Sequence, residues 1–309
     1  MKLDIAEIET FLRVAELGSV SLAAQQLGVA KSVVSKRLSD LERHLGARLL
    51  FRSTRKVAPT DSGQRFYRQA RAALEELRAA AEAVASEDGS LAGSLRILAP
   101  MSFGTLWLAP QLTSFMRLHP QLEVALQLDD RVSDFEREGY DLCLRISRLH
   151  DRALIARRLG SSPRVVCGSP DYIREHGAPE RLEQLLEHPC IGYCNLSAEQ
   201  LWSFDDPAAQ RPLALAPAGR FTSNNGEAMR DAALAGLGLA VLPRFIVQPD
   251  LQAGRLLQVL PETHPTADEI HALYPRSHRA SVKIQALCDF LQQALQAATW
   301  TSAGAQGER

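Results

Sequence analysis

Apolar and polar positions follow two rhythms along the chain, helical up to about residue 85 and mixed strand-and-helix from Gly93 onward. Ile5, Ile8, Phe11, Leu12 and Ala15 step at helical spacing and predict a first helix, opened by Asp4 with Glu7 in a capping-box relation. Ser21 is placed to cap a short second helix carrying Leu22, Ala23, Ala24 and Leu27, and Gly28 is free to take the left-handed turn that ends it. Val33, Val34, Leu38, Leu41 and Leu45 then line one face of a third helix, whose outer face offers Lys31, Ser32, Ser35, Lys36 and Ser39. Two helices joined by a tight turn, the second polar outside and apolar inside, read as a helix-turn-helix. Gly46 stops the third helix. Arg48-Leu49-Leu50-Phe51-Arg52 and Arg55-Lys56-Val57 flank a Ser53-Thr54 turn, predicting a small wing with basic tips.

Thr60-Asp61 opens a long helix to about Ala85, on which Phe66, Ala70, Leu74, Leu77, Ala81 and Val84 recur at heptad-like intervals. Such a stripe suits pairing with a second helix; the simpler reading is a helix lying on its own domain. Glu87-Asp88-Gly89-Ser90 reads as a hinge. Beyond it come strands over 94–99, 122–128 and 141–146, helices over 103–118 and near 133–138, then strands at 165–167, 191–194, 239–242 and 256–259. Helices over 170–175, 224–235 and 244–252 fall between these later strands, and a last strand over 269–273 precedes a helix over 281–297. Strands separated by helical crossovers predict an α/β body.

Charge sharpens this division. The formal net charge of the 309 residues is −1, yet residues 1–72 hold thirteen Lys or Arg against seven acids, and the remainder is acidic. Between 31 and 56, eight Lys or Arg face two acids, Asp40 and Glu42. A basic head on an acidic body is expected when one domain alone meets DNA. Lys31, Ser32, Ser35 and Lys36 would serve major-groove contacts, and Arg52 and Arg55 of the wing would lie along a minor groove. For Arg37 and Arg43, a solvated role and a phosphate contact are equally compatible with the sequence. The absence of a signal peptide or long apolar run predicts a cytoplasmic protein with no membrane contact, and the five scattered cysteines predict reduced thiols.

The order Ala23-Ala24, Leu27, Val34-Ser35, Leu41-Glu42, Leu45-Gly46, Leu50-Phe51-Arg52 and Thr60 with Gly63 resembles the LysR-type transcriptional regulators, over nearly the whole chain. One departure stands out: Ala30 occupies a position where a capping hydroxyl is usual, leaving Ser32 as an alternative cap that would start the helix later. The resemblance implies dimerisation through the long helix, a tetramer, and contacts with RNA polymerase. It also implies a two-lobed effector domain similar to periplasmic binding proteins, with the chain crossing between lobes near 163 and 267.

In open α/β sheets ligands sit beyond the carboxyl ends of strands, at helix N-termini. Pro100-Met101-Ser102-Phe103-Gly104 and Thr222-Ser223-Asn224-Asn225-Gly226 are two such places, and Arg145-Ile146-Ser147 ends a further strand. The family places its inducer there, so the matching stretches give Ser102, Phe103, Ile146, Ser223 and Asn224 as effector contacts, with Arg145 as a candidate cation. Each could equally be ordinary capping or loop structure. Phe103 and Ile146 as an apolar wall would suit a small aromatic or carbonyl compound.

Gly236-Leu237-Gly238 follows a helix and precedes a strand, the reverse of a dinucleotide fingerprint, so a turn is expected. Cys190 and Cys194, four apart on a strand, would have α-carbons about 13 Å apart, too far to bridge. Neither a metal site nor a cofactor is expected, and no catalytic motif accompanies the histidines at 119, 150, 176, 188 and 264. Trp107 and Trp202 are expected in the core, Trp300 in a loose tail.

The expected fold is an all-α winged helix-turn-helix head (1–60), a linker helix and hinge (61–90) and an α/β effector domain (91–309). Lobe I would comprise 91–163 plus 268–300, lobe II 164–267. The expected function is a DNA-binding transcriptional regulator, not an enzyme, controlled by a small-molecule effector between the lobes. Two alternatives stand beside it: a thiol-based redox sensor on the same scaffold, and a solute-binding protein or enzyme carrying a DNA-binding head.

Overall fold

The computed structural model describes residues 3–52, 57–85, 91–131, 139–146, 154–205, 212–279 and 281–301 and divides into two compact units, Met1–Ala85 and Ser86–Arg309. The wing tip 53–56 with Arg55, the hinge 87–90, the helix expected near 133–138, Ser147 and His150 lie outside the described residues, as do the side chains of Arg52, Ala81 and Val84.

The first unit runs α1 (Ile5–Leu17), α2 (Val20–Gln26), α3 (Lys31–Leu45), β1 (Leu50–Arg52), β2 (Val57–Pro59) and α4 (Asp61–Ala85). Phe11, Val14, Ala23, Val34, Leu38 and Leu41 are buried together between the three short helices. Asp4 caps α1 by accepting from the Ala6 amide at 2.9 Å, but Glu7 does not complete a capping box. Its carboxylate is buried and lies 3.2 Å from His44 Nδ1 of α3, because its side chain faces inward.

Ser19, not Ser21, caps α2, accepting from Leu22 N at 3.3 Å. Gly28 takes the left-handed turn at φ 65°. The third helix starts at Lys31 without a side-chain cap: Ala30 is extended and its carbonyl accepts from Val33 N at 3.0 Å and Val34 N at 3.2 Å. Ser32 therefore sits inside the first turn, and the helix is not delayed. Val33, expected on the buried face, is 38% exposed, and Ile5 is likewise exposed.

Two polar groups tie the wing to the helices. Glu42 Oε1 accepts from Leu49 N at 2.8 Å and Leu50 N at 3.2 Å, fixing where the chain turns from α3 into β1. Thr60 Oγ1 donates to Arg48 O at 2.7 Å and accepts from Gly63 N at 2.9 Å, so one hydroxyl joins the wing to the first turn of α4. A Cβ on Gly63 would fall 1.9 Å from Leu49 O, which explains glycine there. Along α4, Phe66 packs on Phe11 with ring centroids 5.6 Å apart, and Ala70 and Leu74 are buried, whereas Leu77 is 53% exposed. The first part of the stripe thus lies on its own head, and Leu77 beyond it is uncovered in the single chain.

In the second unit, β3 (Ala92–Ala99), β4 (Gln121–Leu128), β5 (Leu142–Ile146), β6 (Ile155–Ser162) and β14 (Asp268–Tyr274) form one five-stranded sheet, in the order β4-β3-β5-β14-β6. A second has the order β11-β8-β12-β7-β13, from β7 (Arg164–Gly168), β8 (Cys190–Tyr193), β11 (Thr222–Ser223), β12 (Leu239–Pro243) and β13 (Leu257–Val259). A further small pair joins β9 (Ser203–Phe204) to β10 (Leu213–Ala214). Strand β6 had no signal in the sequence, since IARRLGSS lacks an apolar alternation; it is specified by pairing along its length with β14.

The helix expected from Phe103 begins earlier, as α5 (Met101–Phe103), and passes through a π-helical turn over Gly104–Leu108 into α6 (Ala109–Leu118). Then come α7 (Pro170–His176), α8 (Ala198–Leu201), α9 (Gly226–Leu234), α10 (Arg244–Gln252) and α11 (Val282–Ala297). Gly236 and Gly238, at φ 74° and 148°, make the expected turn between α9 and β12. Trp107 and Trp202 are core residues. Trp300 is not in a loose tail: it is buried, with its ring 6.1 Å from Trp107 and 5.5 Å from Phe245.

Candidate DNA-reading surface and effector cleft

On α3 the apolar stripe Val34, Leu38 and Leu41 is buried, which turns the opposite side of the helix to solvent. Lys31, Ser32, Lys36 and Ser39 are exposed there, and Ser35 is half-buried. Ser39 Oγ donates back to Ser35 O at 3.0 Å. Arg37 and Arg43 are both engaged within the head. The Arg37 guanidinium donates to Thr10 Oγ1 at 3.4 Å, while Arg43 pairs with Asp40 one turn earlier. The two lysines thus supply the outward charge of the first two turns, beside short exposed hydroxyls.

In the second unit, β3 feeds α5 and β11 leads into α9, and the two helix starts meet. Ser102 Oγ accepts from Gly226 N at 3.1 Å and donates to the Glu227 carboxylate. Asn225, not Asn224, caps α9, accepting from Ala228 N at 2.8 Å, and Ser223 Oγ accepts from Asn225 N at 3.1 Å. Asn224 itself is exposed. The Met101 amide at the start of α5 donates to Asp130 at 3.0 Å. Burial, with Asp129 and Glu227 nearby, pushes the Asp130 carboxyl above its ordinary value, against the opposing pull of the Met101 amide and Arg145. Arg145 donates from both terminal nitrogens to Arg131 O at 3.2 Å.

Phe103 points into the core. It is wholly buried, stacked on Trp107 at 5.0 Å and edge-on to Phe245 at 5.5 Å, because its turn of helix packs onto α10. Ile146 is half-buried on β5, opposite Ile270. An apolar wall built on Phe103 is therefore replaced by a polar seam of Ser102, Asp130, Asn225 and Glu227. Glu227 was legible in outline as an acid in the first turn of a helix, where it complements the dipole. Nothing in the local sequence marks Asp130, whose role depends on how β4 ends beside Met101.

The cysteines are all free. Cys143, Cys167, Cys190 and Cys288 are buried, and Cys194, just past β8, is exposed. Burial pushes the thiols of Cys167 and Cys190 up to about 12, away from thiolate chemistry at neutral pH.

A winged helix-turn-helix head ahead of two α/β sheets that meet at helix N-termini defines a DNA-binding regulator with a sensory body. A family model described as "Bacterial regulatory helix-turn-helix protein, lysR family" matches residues 5–64, and one described as "LysR substrate binding domain" matches residues 88–296. The chain belongs to the LysR-type transcriptional regulators. It is 33% identical to the transcriptional regulator CrgA of Neisseria meningitidis serogroup C, over 96% of this chain and 98% of CrgA. It is also 33% identical to the regulator DmlR of Escherichia coli K12, over 93% of each chain. Among solved structures, CrgA of Neisseria meningitidis superposes with a TM-score of 0.60 at 31% identity, covering 95% of this chain and 99% of that one. A full-length OxyR variant of Pseudomonas aeruginosa shares the fold, with a TM-score of 0.72 at 18% identity over the whole of both chains. Among the described residues, no helix is long and apolar enough to cross a membrane.

Proposed function

We propose that this regulator reads a promoter half-site with α3 and the wing and adjusts its grip on DNA when a small molecule enters the seam between two lobes. The observation that carries the reading is the exposed row Lys31, Ser32 and Lys36 on a helix whose other face is buried. Lys31 and Lys36 neutralise phosphates, Ser32 and Ser35 reach base edges, and Arg52 and Arg55 follow the minor groove from the wing. Two heads bind a pseudo-palindrome when α4 pairs with a second copy through the region of Leu77. Tetramer formation and contact with RNA polymerase follow by analogy with the family. The protein acts in the cytoplasm as a regulator rather than an enzyme.

The effector domain, 91–309, comprises lobe I (91–163 plus 268–300) and lobe II (164–267), following the 1–60 head and the 61–90 linker. The effector meets Ser102, Ser223 and Asn224, with Arg145 and Ile146 on the wall and Phe103 supporting Ser102 from beneath. The Ser102 bridge supports this reading, since one hydroxyl links the start of α5 to the start of α9. The test of the DNA contacts is the salt dependence of binding. Lys36→Ala is expected to weaken specific and random DNA alike and to flatten the slope of log K against log salt by about one. An unchanged slope removes Lys36 from the phosphate contacts.

A further inference from the structure

Val33 stands in the first turn of α3 with 38% of its surface exposed, while Val34 beside it is wholly buried. Its surroundings on the open side are polar: Lys31 and Ser32 precede it, and Lys36 stands one turn further on, all exposed. Arg37, also one turn on, directs its guanidinium to Thr10 Oγ1 at 3.4 Å, and Val33 keeps 38% of its surface exposed. The side chain offers no hydrogen bond to a base or a phosphate. In a major groove one base-edge group favours contact with an aliphatic side chain, the C5 methyl of thymine. A β-branched side chain suits such a contact, because its χ1 is already restricted in a helix and little freedom remains to be lost.

We propose that Val33 is a specificity-determining residue that recognises thymine at one position of each half-site through the C5 methyl, between the phosphate contacts of Lys31 and Lys36. The proposal rests on α3 being the reading helix and adds the base that this residue selects. A serine or lysine here would accept or donate a hydrogen bond and tolerate several bases. Valine instead discriminates by apolar contact alone.

The experiment starts from duplex sites selected from a random library by the full-length protein. Each thymine of the selected site is then replaced singly by deoxyuridine, which removes only the methyl group. At one position per half-site the replacement is expected to weaken wild-type binding about three- to fivefold, the effect of burying one methyl. Val33→Ser should lose that sensitivity, whereas Val33→Thr, which keeps a γ-methyl, should retain it. Wild-type binding that is indifferent to deoxyuridine at every position overturns the proposal, as does a Val33→Ser protein with the wild-type sensitivity. Both leave the reading helix standing. Failure to enrich any site overturns the reading helix and this inference together.

Discussion

Ser102 Oγ donates to the Glu227 carboxylate while accepting from Gly226 N, so one buried hydroxyl holds the starts of α5 and α9 together. Removing it leaves the Gly226 amide and one carboxylate oxygen without this partner. Ser102→Ala is therefore expected to destabilise the second unit by about 1.5–3 kcal/mol, the range for hydrogen bonds to charged groups. Thermal denaturation of the full chain measures this; an unaltered transition would mean that the bridge adds nothing to the joint.

The wing depends on Glu42. Glu42→Ala removes the acceptor for Leu49 N and Leu50 N, held at 2.8 and 3.2 Å, and is expected to cost about 1–3 kcal/mol in the head. Glu42→Gln keeps an amide oxygen in place and should cost less. Hydrogen exchange at Leu49 and Leu50 reports the loss directly, and equal protection in the alanine variant would refute this role.

Asp130 gives the second unit a pH dependence of predictable sign. Its carboxyl is pushed above its ordinary value of 3.8, first by burial, so the fold favours the protonated form. That contribution is complete below the ordinary value and is lost as pH rises through the raised folded value. Asp130→Asn keeps an oxygen for the Met101 amide and removes the charge. It should melt higher than wild type at about pH 7, with a difference that shrinks toward about pH 4. A difference constant with pH would contradict the assignment.

The sequence carried the fold where local rules decide it and lost detail where distant partners do. Helix α4 opens at Asp61 and is described to Ala85 as expected, because its apolar stripe and the Thr60 start lie within one continuous segment. Strand β6 was invisible, since its specification comes from β14, more than a hundred residues later. The choice of Ser19 over Ser21 as cap turned on which residue is extended, a property neither side chain announces. In the cleft, Ser102 lies at a helix start as its spacing implied, whereas Ser223 ends β11, two residues before the Asn225 cap of α9. Phe103 went inward because Trp107 and Phe245 of α10 cover it, a tertiary effect with no local signal.

The most direct test of the regulator's central property is a footprint of the full-length protein on DNA from upstream of its own coding sequence. Binding would be measured between about 50 and 200 mM salt with random DNA as competitor, since phosphate contacts make affinity steeply salt-dependent. A protected site with dyad symmetry is expected, bound at least about 10³-fold more tightly than random sequence. Binding that shows no preference over random DNA across that salt range would contradict sequence-specific reading by α3.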